Sequence, residues 1–101
     1  MAPSCITQES NTVTEAQFRA ELEAGGYAIQ EVTWDAGKVN PKHTHDFSAR
    51  LMCLEGTVRI TTADADRQCA VGDTIEITAL TEHTEEIGRE GVRLLIGRLH
   101  T

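Results

Sequence analysis

Histidine is scarce in this 101-residue chain, and three of its four copies stand where they can act together. His43 and His45 are one residue apart, and His83 lies in a second segment, GDTIEITALTEHTEEIG, that alternates like a strand. On an extended strand residues i and i+2 face the same side, so His43 and His45 would bring two imidazoles to one point. Neutral imidazoles suit iron, zinc, nickel and copper, whereas magnesium and calcium prefer oxygen ligands. Three such ligands leave coordination positions open, as catalytic sites do. The expectation is a divalent transition-metal cofactor held by His43, His45 and His83, with a small molecule as substrate or ligand.

Three further residues are candidates to touch that molecule or to support the site from behind: Arg50, Cys53 and Glu85. Arg50 has the planar fork that suits a carboxylate, provided a bulge between Asp46 and Ala49 turns it inward. Simple alternation from His45 instead places Ala49, Leu51 and Cys53 on the histidine side and Arg50 on the other, in a surface or dimer ion pair. A lone buried cysteine such as Cys53 is usually a small hydrophobe rather than a reactive thiol. Among the acids around His83, Glu85 is best placed as base or fourth ligand, being two residues on. His100, near the terminus, reads as exposed. Leu51, Ile60, Ile75, Ile77 and Leu95 are the candidate pocket wall, with Tyr27 and Trp34 on the strand that leads to the first histidines.

The elements that must position these residues follow from periodicity. Thr14 and Gln17 form a capping-box pattern, Phe18 and Leu22 a stripe at i, i+4, and Gly25-Gly26 a stop, which together predict one short helix. After Gly26 the period becomes two. Tyr27, Ile29, Val32 and Thr33 suit a strand, in which the broken alternation between Ile29 and Val32 marks a bulge or a change of face. Turn signals at Asp35 to Gly37, Glu55-Gly56, Ala63 to Asp66, Gly72-Asp73 and Gly88 to Gly91 then cut the chain into short strands. Val58 and Ile60 alternate in one of them, Ile75 and Ile77 in another, and Val92 to Leu99 is the most apolar, interrupted by Gly97. The pattern is all-β, a small sandwich or barrel with one short N-terminal α-helix.

Composition narrows the classes. Sixteen acidic against nine basic residues give a net charge of −7, which disfavours nucleic acid and anionic membrane as partners. No apolar run approaches a membrane span. Cys5, Cys53 and Cys69 form an odd set without paired metal-type spacing, which favours a reducing cytoplasm over a disulfide framework. Residues 1–12 read as a flexible tail, and 13–101 as one domain. A core this small favours a homodimer.

Read together, the two histidine segments resemble the cupin superfamily. Gly37, five residues, His43, one residue, His45 and the strand ending at Gly56 are similar to the first cupin motif. Gly72 with His83 eleven residues later is similar to the second. The resemblance spans roughly Asp35 to Leu99, and the helix followed by Gly-Gly-Tyr resembles small single-domain bacterial cupins. It implies a double-stranded β-helix, the jelly-roll barrel, with a metal in its mouth. The chain departs from the pattern at Ala49, where the family carries a glutamate ligand, and at Thr78, Leu80 and Ile87, where proline, glycine and asparagine are usual. Three-histidine cupins include iron-dependent thiol and diketone dioxygenases, so the resemblance implies a small metalloenzyme of dioxygenase type, or a noncatalytic module that binds or senses a metabolite.

Overall fold

The computed structural model describes residues 13–100 and the backbone of residues 6–9. In chain order the elements are β1 (Ile6–Glu9), α1 (Glu15–Ala24), β2 (Ala28–Trp34), β3 (Val39–His43), β4 (Ser48–Thr61), β5 (Asp66–Ala70), β6 (Thr74–Ile77) and β7 (His83–Leu99). β1 falls inside the stretch expected as a tail, and pairs with β6 from Ile6↔Ile77 to Glu9↔Thr74. The pairing satisfies backbone groups that β6 would otherwise present at an open edge. The rest of residues 1–12, Cys5 included, lies outside the described residues.

Two long strands organise the barrel. The N-terminal half of β4 pairs with β6 through Ala49↔Ile77 to Met52↔Thr74, and with the C-terminal half of β7. Its C-terminal half pairs with β5 and with the N-terminal half of β7. β2 and β3 add to the two ends of β7. The register between β4 and β7 shifts between Cys53 and Glu55 and again between Gly56 and Val58. These irregularities bend the strands from one layer to the other and change which residues face inward. Ala49, Leu51 and Cys53 point into the core before the bend, Val58 and Ile60 after it. Gly56 sits at the bend with φ +75, where a Cβ would lie 1.9 Å from the carbonyl oxygen of Gly91. Only glycine allows the two strands to approach that closely.

The main core lies between the layers and includes Leu51, Val58, Ile60, Ile75, Leu94 and Ile96. A second cluster lies outside the sheet, under α1, where Phe18 and Leu22 pack on Met52 and Leu95. The helix has the expected capping box: Thr14 Oγ1 accepts from Gln17 N at 3.1 Å, and Gln17 Oε1 accepts from Thr14 N at 3.0 Å. Gly97 lets it settle, because a Cβ there would come within 2.6 Å of Leu22 Cδ2. The broken alternation in β2 is a change of face and not a bulge. Its register with β7 runs unshifted from Ala28↔Arg98 to Trp34↔Val92, with Ile29 against the helix cluster and Val32 and Trp34 against the main core. Leu95, expected in the pocket wall, belongs to the helix side, directly opposite Met52. Among the described residues no helix is long and apolar enough to cross a membrane.

Candidate metal centre and its pocket

The three histidines come from three places and meet. His43 ends β3, His83 begins β7, and the two are register partners. β3 stops at His43, so His45 lies in the connection to β4 and not on the strand with it. The connection still turns its ring to the same side. Ring centroids are 4.3 Å apart for His43 and His83, 4.7 Å for His43 and His45, and 5.2 Å for His45 and His83. Each ring offers one nitrogen to a common point, all within 4.8 Å of one another.

Backbone carbonyls set the tautomers. His43 Nδ1 lies 2.6 Å from the oxygen of Pro41, and His83 Nδ1 lies 2.9 Å from the oxygen of Thr81. A carbonyl only accepts, so each Nδ1 carries the hydrogen and donates it, leaving the Nε2 lone pair free. His83 is 1% exposed, and its buried Nε2 has no hydrogen-bond partner. A buried, unpaired nitrogen is costly unless something fills the space in front of it, and a metal ion would. His45 stacks on Phe47, with centroids 4.6 Å apart. Burial, reinforced by the neighbouring His43 and His83, holds His45 below the ordinary histidine pKa of 6.5. His45 thus favours the neutral, metal-binding form, and the three-imidazole donor set fits a transition ion.

Glu85 closes one side. Its carboxylate oxygens lie 3.8 Å from His43 Nε2 and 3.7 Å from His83 Nε2, and its side chain is 8% exposed. Asn40, its register partner on β3, donates Nδ2 to Glu85 Oε1 at 2.8 Å. Arg50 does not reach this site. Its guanidinium pairs with Glu21 at 3.0 Å and lies over the Phe18 ring, on the helix side of the sheet, because no bulge precedes it and alternation sends it outward. Cys53 faces inward but is buried below the pocket, where its thiol donates to the carbonyl of Gly56 at 3.2 Å. Cys69 shares a hydrogen bond with Cys53, and this bond together with burial raises the Cys69 thiol far above its ordinary range. His100 is exposed, 3.8 Å from Asp46.

The histidines form one end of a cavity of about 150 Å³. Leu51, Ile77 and Trp34 line it as expected of them, but Ile60 and Ile75 sit deeper in the core. Phe47, Ile96, Arg98 and Asn40 complete the wall. Local spacing gave no signal for Asn40, Ile96 and Arg98, which are placed by long-range register; Phe47, two residues from His45, continues the alternation that places Ala49 and Leu51.

No protein-family model matches the sequence, and no curated protein matches it at a significant level. Solved structures do. A cupin-2 domain protein from Shewanella frigidimarina superposes with a TM-score of 0.62 at 21% identity, covering 73% of this chain and 71% of its own. The fold is that of a cupin. A cupin superfamily protein from Desulfitobacterium hafniense matches over 95% of this chain and 78% of its own, with a TM-score of 0.66 at 14% identity. A Streptococcus pyogenes protein of unknown function gives a TM-score of 0.66 at 23% identity, over 74% of this chain. The chain spans 65% of that protein's length. Within the cupin frame the departures from the usual motifs have distinct outcomes. Ile87 is buried in the core. Thr78 and Thr81 hold the turn that Leu80 crosses, through a 3.0 Å hydroxyl contact. Leu80 itself takes φ 66, the conformation for which glycine is suited, and its N–H donates to the oxygen of His45 at 2.8 Å.

Proposed function

We propose that this cupin binds a divalent transition metal ion on His43, His45 and His83 and uses it as a small metalloenzyme of dioxygenase type on a small organic substrate. The observation that carries the reading is the convergence of three imidazole nitrogens, one of them buried and unpartnered, at the head of a partly open cavity. When bound, the ion supplies Lewis acidity and open positions for a chelating substrate or dioxygen.

The chain's own residues prepare that event. Pro41 and Thr81 carbonyls fix the His43 and His83 tautomers, the outer support that orients metal-binding histidines. Phe47 holds the His45 ring in place by stacking. Glu85 sets a carboxylate beside two of the three ligand nitrogens and balances part of the ion's charge. Leu51, Ile77 and Ile96 form an apolar wall against which a substrate would pack.

Metal analysis of protein purified without chelator should find about one transition ion per chain, and His83→Ala should release it. Protein that carries none, and takes up no zinc, iron or nickel on titration, refutes the metal. Oxygen uptake by iron-loaded protein against thiols, diketones and phenolic acids tests catalysis. Tight binding of one of these without uptake would favour a sensing role.

A further inference from the structure

The pocket holds a cation that pairs with no carboxylate among the described residues. Arg98 lies on β7 two residues beyond Ile96, on the same inward face, and lines the cavity with the histidines. Its guanidinium carbon sits 5.4 Å over the Phe47 ring, and Phe47 in turn stacks on His45. Arg19, Arg50, Arg59 and Arg93 all pair with carboxylates at 3.0 Å or less. Arg98 has no ion-pair or hydrogen-bond partner among the described residues. Glu85, the acid of the pocket, accepts from Asn40 and makes no contact with Arg98 that closes an ion pair.

The residues directly across the sheet from Arg98 are alanines on both sides, Ala49 on β4 and Ala28 on β2, and Ala49 is the one that lines the pocket. Directly opposed residues on neighbouring strands have Cβ atoms about 5 Å apart, the spacing of a cross-strand ion pair. A carboxylate at position 49 would therefore neutralise Arg98 from within the chain. Alanine leaves the guanidinium unpaired and leaves room in front of it. An arginine held on an aromatic face with its fork open is a carboxylate-binding arrangement.

We infer that Arg98 binds the carboxylate of a small organic acid, which occupies the space that a side chain at position 49 would otherwise fill, with its other end toward the histidines. The volume, about 150 Å³, equals that of about five waters, and so matches a short acid. The apolar wall of Leu51, Ile77 and Ile96 suits a short alkyl chain. This assignment rests on the metal reading for the far end of the ligand, and on Arg98 alone for the carboxylate.

The test is calorimetric titration of zinc-loaded protein, its zinc content measured beforehand, with 2-oxobutyrate and with its neutral amide. The acid is expected to bind ~10–100-fold more tightly than the amide, the margin of a hydrogen-bonded charge. Arg98→Gln should bring the acid down to the level of the amide while zinc content stays unchanged. Ala49→Glu should abolish the preference by placing a resident carboxylate against Arg98, and serves if Arg98→Gln does not fold. Equal binding of acid and amide, or a preference that survives both substitutions, overturns the assignment. Should the protein take up no zinc, the metal reading fails by itself, and the same comparison on metal-free protein decides Arg98: no preference there overturns it.

Discussion

Replacing Glu85 with glutamine separates a metal centre from a simple cluster of polar side chains. The carboxylate is buried, 3.7 and 3.8 Å from two imidazole nitrogens, and its one neutral donor is Asn40. If the cluster exists for its own hydrogen bonds and ion pairs, removing the charge breaks a buried pair and the metal-free protein loses about 3–5 kcal/mol. If it exists to hold a cation, the metal-free protein carries an under-compensated buried anion, and Glu85→Gln leaves its stability equal or higher. Loss of a supporting carboxylate lowers metal affinity by about 10–100-fold. Each factor of ten is about 1.4 kcal/mol of the stabilisation that a saturating ligand confers. For a domain of this size 1 kcal/mol moves the melting temperature by about 4–8 °C.

The expected outcome is thus a zinc-induced rise in melting temperature smaller by roughly 6–20 °C in Glu85→Gln than in the parent. Circular dichroism melts with and without zinc, and competition against a chromophoric chelator, measure both quantities. A metal-free variant that melts far below the parent, with an unchanged zinc increment, would refute the reasoning.

Other predictions follow from packing and backbone. Leu80→Gly relieves a left-handed leucine that costs ~1–2 kcal/mol, offset by ~0.5–1 kcal/mol of glycine entropy. Since Leu80 is 72% exposed and loses little packing, urea unfolding should show a net gain of up to ~1.5 kcal/mol. Gly97→Ala drives a methyl into the fully buried Leu22 and should cost ~1–3 kcal/mol. The double variant with Leu22→Ala should cost less than the sum of the two single changes, because the cavity receives the methyl. Thr14→Ala removes the helix cap and should cost ~1 kcal/mol with no change in zinc binding.

Much of the architecture was legible because it is local. The capping box, the Phe18 and Leu22 stripe and the alternation of Val58, Ile60, Ile75 and Ile77 all depend on neighbours a few residues away, and each element stands where they point. Leu95 was not legible. Leu94, Leu95 and Ile96 form a run covered on both faces, by the core on one side and α1 on the other, so alternation carries no information there. The outward direction of Arg50 followed from period two, and the bulge that would have reversed it lies farther along β4, past Cys53.

The pocket shows the same division more sharply. That position 49 lacks an acid could be read from motif spacing, but what the omission does could not. Its consequence depends on which residues lie across the sheet, and the register of β4, β3 and β7 is fixed over separations of tens of residues. Asn40↔Glu85 brings a carboxylate to the histidines from a different strand, and Ala49↔Arg98 leaves a guanidinium uncovered in the same cavity. A glutamate at position 49 would stand opposite Arg98, and alanine there leaves that place open. The resident acid stays with the imidazoles, and the arginine stays free for an acid brought from outside.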